Sequence, residues 1–122
     1  RTKIIKEKGF LFLAETISEG MFPEENQKEW RDDFKNRLVN NDEDAYLNTF
    51  AQLMKWGLGD EVAKINHKTL VIASDMDYTP IEYKKAFVEK MTNAELVVIE
   101  NSRHGIVLDQ AGKLNNELLK FL

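Results

Sequence analysis

Lys68-Thr69-Leu70-Val71-Ile72-Ala73-Ser74-Asp75-Met76-Asp77-Tyr78-Thr79-Pro80 is a short apolar run that ends in two acids and a proline. Its β-branched residues and its length suit a strand rather than a helix. A continuous apolar run predicts a parallel strand covered on both faces. Thr79-Pro80-Ile81-Glu82 follows as a capping box, with proline at the first helical position. The helix it predicts buries Tyr83, Phe87 and Val88 and ends at Thr92-Asn93. A second apolar run, Ala94 to Ile99, leads into Asn101-Ser102-Arg103-His104. The stretch therefore reads strand, acid, helix, strand, histidine. Parallel strands open their crevice at their C-terminal ends, so Asp77 and His104 leave the sheet at one edge. An acid and a base side by side suggest two parts of a catalytic relay.

Downstream, Asp109 is placed to cap a last helix whose Leu114, Leu118 and Phe121 face the core. The order β-α-β-α predicts a right-handed crossover unit with a closing helix. Upstream of Ile65 the pattern is helical throughout. Phe10, Leu13, Ala14, Ile17 and Met21 recur at helical spacing, and Gly20 and Pro23 mark the end of that segment. Trp30, Phe34 and Leu38 form one apolar stripe. Asn40-Asn41-Asp42 is a turn and an N-cap for a helix with Tyr46, Phe50, Leu53 and Met54, closed by Gly57 and Gly59. Core packing is the first reading for most of Trp30, Phe34, Tyr46, Phe50, Met54 and Trp56. The sequence thus divides into a helical segment, 1–65, and a β-α-β-α segment, 66–122.

Two parallel strands leave at least one long edge open. The expected fold class is α/β with an incomplete sheet, and the expected assembly is a homodimer or a swapped pair through that edge.

Composition narrows the function. Hydrophobic residues make up 43%, enough for a packed core. The net charge of −4 argues against nucleic acid, whose phosphates need a basic surface. The absence of cysteine excludes disulfides, thiolate chemistry and cysteine zinc sites. No apolar run approaches the roughly 20 residues of a membrane helix, and no signal-peptide pattern opens the chain, so no membrane is expected and a cytoplasmic setting is.

From Ile65 to Leu122 the chain resembles the C-terminal part of an α/β-hydrolase. The residues that carry the resemblance are Leu70 to Pro80, Ala94 to His104, and the closing Leu114-Asn115-Asn116-Glu117-Leu118-Leu119-Lys120-Phe121-Leu122. The first 60 residues are more loosely similar to the helical cap of the enol-lactonase and esterase branch, with Arg1, Gly9, Phe22 and Tyr46 about where such caps keep similar residues. The chain departs from the family pattern at Ser74, where many members have Gly, and at Ala111, where many have Pro. Asp77 and Pro80 are also one residue closer than in the commonest form, and Gly105 follows the histidine.

The resemblance implies that Asp77 orients His104 and that His104 takes a proton from a serine. Asp75, two residues earlier, is the alternative acid. Serine-dependent hydrolysis of a small acyl substrate, an ester or lactone, is implied, with no metal or organic cofactor. By the same analogy the cap aromatics would line a substrate pocket. The family nucleophile sits on a Gly-x-Ser-x-Gly turn ahead of the acid and base. Ser18, Ser74 and Ser102 are the three serines here, and none has that setting; Thr16-Ile17-Ser18-Glu19-Gly20 has only the second glycine. The expectation is a hydrolase segment that supplies acid and base, inactive by itself. Two other readings stay open. One is a non-catalytic binding module of hydrolase-like fold. The other rests on Asp75-Met76-Asp77-Tyr78-Thr79, which matches the D-x-D-x-T signature of haloacid-dehalogenase-like phosphatases.

Overall fold

A computed structural model describes all of residues 1–122. The chain forms two compact units, Arg1–Gly57 and Leu58–Leu122. The first is all helix: α1 (Thr2–Lys8), α2 (Phe10–Met21), α3 (Lys28–Val39) and α4 (Glu43–Leu53). Gly9 separates the first two helices. Its φ of 86° and ψ of 164° lie where a side chain is strained, so glycine is required at this break. On α2 the apolar stripe buries Leu13, Ala14 and Met21, and Phe22 beyond it is 1% exposed. Trp30 and Phe34 on α3 meet the Phe22 ring edge-on, at centroid distances of 6.0 and 6.4 Å.

Chain reversals in this unit are capped from side chains. Glu24 and Gln27 form a reciprocal capping box ahead of α3. Asp42 accepts the Ala45 N–H at 2.7 Å and starts α4, as the sequence predicts. Tyr46 and Phe50 on α4 stack at 6.4 Å; the Arg1 guanidinium lies over Phe50 and donates to the Tyr46 hydroxyl. With Leu38, Ala45 and Leu53 these residues line an open cavity of about 420 Å³. Met54 and Trp56 pack into no core; they are 69% and 71% exposed.

The second unit opens with a 3-10 turn, Gly59–Lys64, and continues β1 (Thr69–Ser74), α5 (Ile81–Val88), β2 (Ala94–Ile99), α6 (Ile106–Asp109) and α7 (Ala111–Phe121). The strands pair in parallel, from Thr69 opposite Ala94 to Ser74 opposite Ile99. Both apolar runs are therefore strands, and they end level with each other. Asp75 N–H extends the ladder one step to the Ile99 carbonyl, at 3.1 Å. The sheet has these two strands only. Ala73 and Ile99 are buried, while Leu70, Val71 and Ile72 are half-buried, so β1 lacks the full cover its composition predicts.

Four sequence expectations fail locally. The box at Thr79 does not form: α5 begins one residue later, with Pro80 as its N-cap and no side-chain cap. Lys84 Nζ takes both the Thr79 hydroxyl and its carbonyl, which occupies the group that would have capped. The inward face of α5 is Ile81, Lys84 and Val88; Tyr83 is 70% exposed. Asp109 does not cap α7, whose N-cap is Gln110, because its carboxylate is turned to Ser102 and Arg103. Leu118 likewise stays exposed, at 41%. No helix is long and apolar enough to cross a membrane.

Candidate active site

The level ends of β1 and β2 place Asp77 and His104 together. His104 Nδ1 lies 2.8 Å from Asp77 Oδ1. The separation of 27 residues in sequence closes because each group leaves its strand within a few residues of the same sheet edge. Asp77 is half-buried. Burial acts to raise the pKa of its carboxyl. That effect is outweighed by the Lys84 ammonium, by His104 and by the Tyr78 N–H, so the group is held below the usual carboxylate range. An ionised carboxylate only accepts, so Nδ1 must carry the proton between them. The neutral ring then has its lone pair on Nε2, the nitrogen on the far side from the acid.

Lys84 is the residue that sequence reasoning missed. Its Nζ sits 2.9 Å from Asp77 Oδ2, with both side chains largely sequestered at 14% and 16% exposure. Asp77 thus divides its oxygens: Oδ1 takes His104 and the Tyr78 N–H, at 2.7 Å, and Oδ2 takes Lys84. The signal was present as a lysine at the middle of the 81, 84, 88 stripe. A cation on an inward face needs a partner, and the acid it meets is Asp77, just ahead of the helix. The Tyr78 ring lies against His104, with centroids 4.8 Å apart and planes tilted by 44°. The imidazole side chain is otherwise open, at 56% exposure.

Asp75 is not in this pair. Its two oxygens accept the N–H groups of Asn101 and Ser102, each at 3.0 Å. The Ser102 N–H bond is the main reason its carboxyl is held below the ordinary range. A carboxylate occupied by backbone in this way is poorly placed as a nucleophile, which weighs against the phosphatase reading of the D-x-D-x-T match. No three acidic or histidine side chains converge as metal ligands.

The three serines are all internal. Ser18 is 1% exposed and donates to the Glu15 carbonyl at 2.9 Å. Ser74 and Ser102 lie 3.0 Å apart, hydroxyl to hydroxyl, and Ser102 donates to Asp109 Oδ1 at 2.8 Å. Neither is bonded to His104.

No protein-family model and no curated protein matches the sequence. Solved structures do match the fold. An esterase from Exiguobacterium antarcticum superposes with a TM-score of 0.85 at 23% identity, over 98% of this chain and 44% of its own. A bromoperoxidase from Bacillus anthracis superposes with a TM-score of 0.81 at 24% identity, over 91% of this chain and 43% of its own. Both have the α/β-hydrolase fold. The chain has that fold too, with a sheet that is incomplete. It spans less than half the length of either neighbour.

Proposed function

We propose that this chain supplies the acid and the base of a serine-dependent acyl hydrolase, with Asp77 as the orienting carboxylate and His104 as the proton carrier. The observation that carries the reading is the 2.8 Å contact between Asp77 Oδ1 and His104 Nδ1 at the C-terminal edge of a parallel strand pair. The fold shared with an esterase supports ester or lactone chemistry. In the proposed reaction, Nε2 accepts the proton of a serine hydroxyl as its oxygen attacks the acyl carbonyl. The same proton then passes to the leaving alcohol. A water molecule repeats the exchange and frees the acid product. Asp77 holds the ring and offsets the charge of the transient imidazolium. None of Ser18, Ser74 and Ser102 suits the attacking role, because each is buried and bonded elsewhere. The nucleophile in this reading is a serine outside the 122 residues.

The test has two parts. Residues 1–122 alone should neither hydrolyse a nitrophenyl ester nor react with a fluorophosphonate probe. A protein that joins them to a Gly-x-Ser-x-Gly segment should do both. In it, His104→Ala should abolish turnover and Asp77→Asn should lower it by about 10⁴-fold. Ester turnover by residues 1–122 that survives replacement of all three serines would overturn the proposal. Full activity of the joined protein after His104→Ala would do the same.

A further inference from the structure

His104 is more than half exposed, so burial of its own ring does not fix its position. Its backbone is held instead. The segment between Ile99 and Ile106 presents three successive N–H groups to carboxylates. Asn101 and Ser102 donate to the two oxygens of Asp75, each at 3.0 Å, and Arg103 donates to Asp109 Oδ2 at 2.8 Å. The chain can present them this way because Asn101 adopts a left-handed φ of 57°, which asparagine tolerates better than most residues.

The Ser102 side chain ties the same point from inside. It is 0% exposed, and its single hydroxyl proton goes to Asp109 Oδ1 at 2.8 Å in preference to the Arg103 carbonyl at 3.4 Å. Ser74 at the end of β1 therefore donates to Ser102, and Met76 N–H donates to the Ser102 carbonyl at 3.0 Å. Every residue from 101 to 103 is thus gripped by a group from β1's end or from α6, immediately before the histidine.

We propose that Asp75 and Asp109 are positioning residues that clamp the loop, one from the end of β1 and one from α6, and so set the imidazole against Asp77. Neither touches His104; they act through the peptide that carries it. Displacement of a reacting group by about 1 Å costs on the order of 100-fold in rate, so such a clamp matters to the chemistry proposed above. The inference rests on the Asp77–His104 pairing, and the experiment separates the two.

Imidazole ¹⁵N shifts of His104 in labelled residues 1–122, taken with the ring neutral, report which nitrogen carries the proton, with His67 as the internal reference. Amide exchange is followed in parallel at residues 101–103 and in both strands. The wild type should hold the proton on Nδ1. Asp77→Ala should abolish that preference; if the wild type lacks it, or Asp77→Ala leaves it, the pairing itself is wrong. Asp75→Ala and Asp109→Ala should each reduce the Nδ1-protonated population by about half, since the tautomer follows the bond the ring makes. Both should speed exchange at 101–103 with the strand amides still protected. If Asp77→Ala acts and these two variants leave tautomer and exchange unchanged, the clamp is overturned. If Asp109→Ala also loosens the strands, Ser102→Ala, which removes one hydroxyl, decides: a reduced Nδ1 population supports the clamp and an unchanged one overturns it.

Discussion

At the scale of single residues, Asp77 is governed by donors that occupy both oxygens of its carboxylate. Lys84 holds Oδ2 while His104 and the Tyr78 N–H hold Oδ1. Lys84→Met removes the ammonium and leaves the burial. The Asp77 carboxyl should then titrate at higher pH than in the wild type, as read from its side-chain ¹³C shift. An unmoved titration would mean that the ammonium is not a determinant of this charge. Asp75 and Asp77 also fix how the fold responds to acid. Both are held below their unfolded values, so each stabilises the fold above the unfolded carboxylate range near about pH 4. That contribution is lost as pH falls through the folded values. Asp75→Asn should therefore be less stable at neutral pH, and its stability should vary less between about pH 5 and pH 3. Denaturant unfolding at several pH values checks both statements.

At the scale of elements, stability concentrates at the turns. Asp42 starts α4 with a bond to the Ala45 N–H. Asp42→Ala should cost about 1 kcal/mol in denaturant unfolding, and Asp42→Asn should cost only a few tenths. Asn101 sits at φ 57°. Asn101→Ala should cost about 1–2 kcal/mol, while Asn101→Gly should be close to neutral. These elements also show how far sequence carries. The strands were legible to the residue at β2, because a short β-branched run between polar turns has few alternatives. The acid and the histidine were legible as neighbours, because parallel strands deliver their ends to one edge. The capping box at Thr79 was misread because Lys84, seven residues from Asp77, draws the threonine away. The box at Glu24 and Gln27 is less legible, because it opens on a glutamate and not on the serine or threonine that marks such boxes in a sequence. Asp109 was assigned to the helix after it, when its bonds run to the loop before it. At Thr79 and Asp109 a side chain chose between two nearby partners, and spacing along the chain does not reveal which one is closer in space.

At the scale of the whole molecule, the open sheet dominates. Each strand has one partner, so each exposes an unpaired edge. Apolar side chains lie exposed nearby on the helices of this unit, including Tyr83 at 70% and Leu119 at 72%. We propose that residues 1–122 alone self-associate, as a homodimer or swapped pair, through these edges. Light scattering coupled to size exclusion should give a mass above that of one chain, rising with concentration. A monodisperse single chain at high concentration would show that the edges are protected without a partner.

Lys68 and Phe121 meet: the ammonium donates to the Phe121 carbonyl at 2.9 Å and rests 4.2 Å above its ring. The stretch from the first strand to the final helix therefore begins and finishes at one spot. A short linker from Leu122 back to Lys68 would join these two points, and new ends could be opened elsewhere, for instance in the exposed turn near Thr92-Asn93. Such a rearranged chain should keep its acid and histidine in register, because neither depends on which peptide bond happens to come first.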